Sequence, residues 1–212
     1  GVRICGIVLA AAVAISVNSP GGSPVQSALI HARIRELAAK TETPVIVFCE
    51  DVAASGGYWL ACAGDEIFAD DSSVIGSIGV ISAGFGFVEA IRKLGIERRV
   101  HTAGESKSML DPFRPEKPED IEHLLGLQTD VHAAFKNLVK TRRAGRLKGE
   151  DGELFSGAFW SGRQALARGL LVSVVVIKAR PVRIQSRATV PSPIVVFAAA
   201  PWIHVMSAKL RN

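Results

Sequence analysis

Residues 45–61, VIVFCEDVAASGGYWLA, constrain the fold of this chain more than any other stretch. Five apolar residues, Val45 to Cys49, are rich in β-branched types and read as a buried strand. Two acids, small residues, Ser55 and the pair Gly56-Gly57 follow. The apolar run Tyr58 to Cys62 then has helical character. Strand, tight turn and helix put Ser55 at or beside a helix N-terminus, where free N–H groups, Gly56 first among them, can receive negative charge. Without a Cβ, the glycines let another backbone come close. An acyl-transfer nucleophile needs this geometry, an exposed Oγ with an oxyanion donor beside it. The same pattern also serves as a plain turn with a serine helix cap.

Upstream, a strand ending at Ala14–Asn18 runs into Ser19-Pro20-Gly21-Gly22-Ser23-Pro24, and a helix is predicted from about Val25 to Lys40. The opening is therefore strand, glycine loop, helix, strand, glycine turn, helix. That is a β-α-β unit with parallel strands, and hence an α/β fold. Ligands gather at the carboxyl ends of such strands. Both glycine loops lie there, which makes Gly21/Gly22 and Ser55/Gly56 neighbours.

Further along, Asp65–Ala69 reads as a short strand, and Gly76 and Gly79 interrupt the apolar run Ser72–Ile81. Phe87–Leu94 reads as a helix closed by Gly95. Glu97–Thr102 is predicted as a strand, 103–115 as a loop with one helical turn, Asp120–Arg146 as a long charged helix and Gly162–Arg168 as a short one.

At 212 residues, one compact domain is the default, with two small ones as the alternative. No apolar run approaches the roughly 18 residues of a membrane span, and Ile4–Val17 reads better as a buried strand, with a short helix before it, than as a signal peptide. Cys5, Cys49 and Cys62 form no C-x-x-C pair and read as buried free thiols, neither a disulfide frame nor a metal site. The net charge of +5 is uneven. From Leu154 on there are eight Lys/Arg and no acid, against 17 basic and 20 acidic residues before it. These charges neither cluster along a helix nor interleave with aromatics, so nucleic acid is not a predicted partner.

A serine nucleophile needs a base. The histidines are His31, His101, His123, His132 and His204; His31, His123 and His132 read as lying on exposed helix faces, and none sits in a triad-like pattern. Lys107 is the other candidate. A lysine serves as base only when burial among apolar groups, away from carboxylates, draws its pKa down.

Taken together, NSPGG (18–22), EDVAASGGYWLACAGD (50–65), GSIGVI (76–81), KLGIE (93–97), AGESKSMLDPF (103–113) and SGRQALARGL (161–170) resemble the signal peptide peptidase A family of serine peptidases, in its short, single-repeat bacterial form. The resemblance covers about residues 15–171. It implies a crotonase/Clp protease-type fold of repeated β-β-α units, short of its first strands at the N-terminus. It implies Ser55 as nucleophile, Lys107 as general base, and an oxyanion hole from Gly56 with Gly21 or Gly22. Ser77 and Ser106 are polar groups that could orient Lys107, and each reads equally as an ordinary turn serine. No metal or cofactor is expected. The implied partners are a peptide substrate, such as a signal-peptide remnant, and further copies of the chain in a ring-like oligomer. The implied location is the bacterial cytoplasmic membrane or cytoplasm, with membrane association supplied by residues upstream of this chain.

Residues 1–14 and 172–212 do not resemble the family, and the acid-free tail suggests either frame-shifted ends around a genuine core or a natural divergent tail. Two other readings stand beside the peptidase: a crotonase-type acyl-CoA hydratase or isomerase using Glu50 or Asp51, and an inactive core that only oligomerises.

Overall fold

The computed structural model describes residues 12–175 and 205–206. They divide into two compact units. One comprises the chain up to Gly79 and from Phe135 onward; the other is Val80–Ala134. The expectations for residues 1–11, Cys5, His204 and most of the basic tail lie outside the described residues.

The first unit is built on a mixed sheet with helices, so the α/β class holds. Strand β1 (Val13–Ser19) leads through the glycine loop to helix α1 (Pro24–Thr41), then to β2 (Val45–Ala54) and α2 (Gly56–Ala61). Strands β3 (Glu66–Ala69) and β4 (Val74–Gly76) follow. After the second unit come the end of α4 (Pro118–Arg142), α5 (Asp151–Leu154), β5 (Phe159–Ser161), α6 (Gly162–Ala167), β6 (Ser173–Val174) and β7 (Val205–Met206). The sheet order is β5-β4-β2-β1-β7, with β3 also on β2 and β6 on β3. The predicted β-α-β unit is present: β1 and β2 pair in parallel, Val13 opposite Val45. Strand β5, antiparallel to β4, is too short at three residues to carry a sequence pattern of its own.

Local signals set the boundaries. Ser23 caps α1 by accepting from Gln26 N–H, with Pro24 as first helical residue, and Glu42 closes the helix in the left-handed region (φ 51°). Ser161 and Gln164 form a capping box on α6.

The core lies between one sheet face and the helices. Ile15, Val17, Val47, Cys49 and Ile67 meet Tyr58, Trp59 and Leu60 of α2, and the Trp59 ring stacks on Phe135 of α4 with centroids 4.7 Å apart. Three polar ties cross this core. Tyr58 Oη donates to Leu170 O (2.8 Å). Asp65 accepts from Val45 N–H (2.9 Å), Arg35 (2.9 Å) and Arg142 (3.0 Å). Partial burial pushes its carboxyl up, but the Val45 hydrogen bond and the two guanidiniums outweigh that and hold it below the usual range. Arg143 is fully buried and donates from Nε to Gly169 O (3.2 Å); its two terminal nitrogens have no partner among the described residues. Cys49 and Cys62 are buried free thiols, as predicted, and burial pushes both thiol pKa values up, Cys62 to about 12.

The second unit contains α3 (Val88–Lys93), closed by Gly95 at φ 66°, a 3-10 turn at Glu105–Ser108, and α4 as far as Ala134. None of its described residues is buried. The predicted strand at Glu97–Thr102 is absent. No strand of this unit lies beside it, and the polar run Glu97-Arg98-Arg99 turns to side-chain partners instead: Arg98 pairs with Asp111 (3.1 Å) and lies over the Phe113 ring.

A fully buried guanidinium without a carboxylate costs desolvation that one carbonyl hydrogen bond does not return, and burial pulls its pKa down. Arg143→Met is expected to leave unfolding stability within about 1 kcal/mol of the parent or to raise it, read from urea midpoints.

Candidate functional site

Strand β2 ends at Ala54, and the next residue makes the turn. Ser55 has φ 52° and ψ −123°, a conformation costly for a residue with a Cβ. It is held there by its own N–H, which donates to Gly76 O of β4 (2.8 Å), and by Trp59 N–H, which donates back to Ser55 O (3.0 Å). Ser55 is half-exposed, while Ala54, Gly56 and all of α2 are buried. A strained serine between strand and helix, with its side chain at the surface of a packed core, is the arrangement of a nucleophile elbow.

The loop after β1 lies directly on this turn. A Cβ on Gly21 would sit 2.9 Å from Ser55 Cβ, 3.2 Å from Ser55 Oγ and 3.3 Å from Gly56 N; with φ 125° this position also favours glycine. A Cβ on Gly56 would lie 3.2 Å from Gly22 N and 2.6 Å from Ser27 Oγ. Under the turn, a Cβ on Gly57 would meet Ser19 O at 2.2 Å. Gly56 opens α2, so its N–H has no acceptor inside the helix. Gly22 N–H has no partner among the described residues. The Gly56 N–H and the Gly21-Gly22 backbone therefore lie together at the turn that carries Ser55.

Ser77 lies in the same unit. It follows Gly76, has φ 50°, and donates its N–H to Ala158 O (2.7 Å). Lys107 and Ser106 belong to the second unit, in the 3-10 turn, and both are exposed. Lys107 N–H donates to Gly104 O (3.2 Å), and its ammonium is in no ion pair among the described residues. Glu50 accepts from Ser16 Oγ (2.5 Å), and Asp51 accepts from Asn18 Nδ2 (3.1 Å). Among the described residues, no three His, Cys, Asp or Glu side chains gather as a metal-ligand set.

The reading of His31 as exposed is overturned. It is buried on the inner face of α1 with Ser27 and Ala38, because α1 packs on α2 there. Burial is the main cause that draws its pKa down to about 4, opposed by a hydrogen bond to the Cys62 backbone and reinforced by Arg142 and Arg35. Asn18 and Ser27, to which the sequence pattern assigns no role of their own, also lie at the turn. The signal for both was available: small polar side chains flanking a glycine loop at a strand end.

The profile of peptidase family S49 matches residues 38–187, well over half the chain. The chain belongs to peptidase family S49. The likeness to signal peptide peptidase A drawn from the glycine, serine and lysine strings is borne out. "Serine protease SPPA, chloroplastic" of Arabidopsis thaliana is 34% identical over 164 residues, 77% of this chain and 24% of that protein. "Protease 4" of Haemophilus influenzae is 35% identical over 167 residues, 76% of this chain and 26% of that protein. A Brucella melitensis protein named "Na(+)/H(+) antiporter NhaA" is 62% identical over 162 residues, 76% of this chain and 22% of that protein. The chain thus spans about a quarter of the length of these relatives.

Two outcomes follow from the packing. Gly57→Ala forces a Cβ into the Ser19 carbonyl; it is expected to lower stability by about 1–3 kcal/mol in urea unfolding. For His31, the unfolded chain takes up a proton below about pH 6.5 and the folded chain only near 4. Stability is therefore full above 6.5 and falls as pH drops through this window. His31→Gln is expected to flatten that slope in denaturation midpoints measured between pH 7.5 and 4, with Asp65 adding its own loss at lower pH.

Proposed function

We propose that this chain is the catalytic core of a serine endopeptidase. In this reading Ser55 Oγ attacks the scissile carbonyl, and Lys107, neutral, takes its proton. The N–H groups of Gly56 and Gly22 hold the oxyanion, Lys107 returns the proton to the leaving amine, and water deacylates the enzyme. The observation that carries the reading is Ser55 at φ 52° with Gly21 packed against its Oγ. The Gly56 and Gly22 N–H groups beside it are left without partners in the helix and the loop.

Family membership supports a fold of the crotonase/Clp protease type and an acyl-enzyme route. The substrate class is the one implied by the likeness to signal peptide peptidase A: remnant signal peptides and other peptides, with apolar side chains near the serine. General base action by a lysine needs a dry setting, and Lys107 is exposed. The reading therefore requires cover from bound peptide or from a second copy of the chain. Ile81, Phe85 and Leu94, 86%, 81% and 72% exposed, support assembly into a homo-oligomer. Ser77 and Ser106 are proposed to orient Lys107 once it is covered. Membrane association would come from residues outside this chain; among the described residues, no helix is long and apolar enough to cross a membrane.

Acyl-CoA chemistry finds less support, since Glu50 and Asp51 are both engaged by side chains of β1. The antiporter name of the Brucella relative gives no second reading, because the family profile that matches residues 38–187 is that of a peptidase.

The test is labelling of the purified chain by a fluorophosphonate. Labelling of the parent is expected, with a loss of at least about 1,000-fold in rate in Ser55→Ala and in Lys107→Ala. An unlabelled, folded parent overturns the reading; labelling that persists in Lys107→Ala overturns the lysine base.

A further inference from the structure

The oxyanion loop and the serine turn lie on different strands, so something must fix the offset between them. Strands β1 and β2 do not stay in register to their ends. Val17 pairs with Cys49, but Ser19 pairs with Ala53, so Glu50, Asp51 and Val52 together face Asn18. Here β2 also changes partner: Ile46–Cys49 pair with β3, and Val52–Ala54 pair with β4. A bulge of this size leaves backbone groups unpaired and lets a strand slip.

Asn18 closes it. Its Oδ1 accepts from Val52 N–H (3.2 Å), and its Nδ2 donates to Asp51 Oδ2 (3.1 Å). The orientation of the amide is fixed chemically: the backbone N–H can only donate and the carboxylate can only accept. Gly21 lies three residues beyond Asn18, and Ser55 lies three residues beyond Val52. Those two are the residues that meet at the site. We infer that Asn18, braced by Asp51, is a positioning residue that sets the Gly21-Gly22 loop against Ser55 and so assembles the oxyanion hole. It touches no substrate and acts through the backbone. This inference rests on the acyl-enzyme reading above.

Other features carry less. The nitrogens of Arg143 that lack a partner among the described residues have no second observation beside them that points to a ligand. The exposed apolar residues of the second unit belong to the assembly already proposed.

The experiment compares the full chain with Asn18→Ala, Asn18→Asp and the exchanged pair Asn18→Asp/Asp51→Asn. The readouts are the fluorophosphonate acylation rate, kcat and KM on an apolar peptide substrate, and thermal unfolding. Misplacing oxyanion donors costs turnover rather than binding, so Asn18→Ala is expected to slow acylation and kcat by about 10–100-fold with KM within about twofold. Asn18→Asp keeps the Val52 bond but opposes two carboxylates. Its acylation rate relative to the parent is expected to be low at pH 8 and to recover toward pH 5, as one carboxylate takes a proton. In the exchanged pair, the carboxylate placed on β1 accepts both from Val52 N–H and from the amide placed on β2. The parental rate is then expected to return to within about threefold at pH 8. If Asn18→Ala does not fold, Asn18→Asp and the exchanged pair decide the matter. Parental rates in every folded variant, or a folded exchanged pair that stays slow, overturn the inference while leaving Ser55 as nucleophile. A parent that is not acylated overturns the acyl-enzyme reading, and this inference with it.

Discussion

The contact on which the first unit depends is backbone against backbone. The loop after β1 rests on the turn after β2, with the Ser19 carbonyl over Gly57 and Gly21 over Ser55. There is no room for a Cβ between them. Packing this close brings the Gly21-Gly22 backbone against Ser55 and Gly56. It also fixes a conformation that a serine avoids in isolation. The Gly76 carbonyl and the buried helix α2 hold that conformation from the other side.

The surrounding polar ties serve the same geometry. Asp65 joins the start of β2 to α1 and to the end of α4 through Val45, Arg35 and Arg142. Tyr58 reaches Leu170 from the helix that follows the serine. Asn18 spans the offset between β1 and β2. Each bond joins segments far apart in sequence, and each satisfies a group that burial or a bulge would leave unpaired. The apolar core supplies cohesion; these bonds specify which strand end meets which loop.

The second unit is of a different kind. Its described residues include none that is buried, yet it carries Ile81, Phe85, Leu94 and Ile96 at the surface. Its local order comes from short-range contacts, such as Phe87 stacked on Phe113 and Arg98 paired with Asp111. A unit with this much exposed apolar surface is suited to gaining order and cover from another surface.

The sequence by itself determined the β-α-β opening, the positions of α1, β2 and α2, and the meeting of the two glycine loops. Each of these follows from local pattern: apolar runs of strand length, a Ser-Pro helix start, and glycines at strand ends. The motif strings together determined the family. Tertiary structure decided the rest, since those features depend on neighbours distant in sequence. His31 is buried because α1 packs on α2, which the weak stripe of that helix does not announce. The residues from Glu97 to Thr102 are not a strand because a strand needs a partner, and pattern alone supplies none. Asn18 reads as an ordinary turn residue until a register shift between β1 and β2 gives its amide two partners more than 30 residues away.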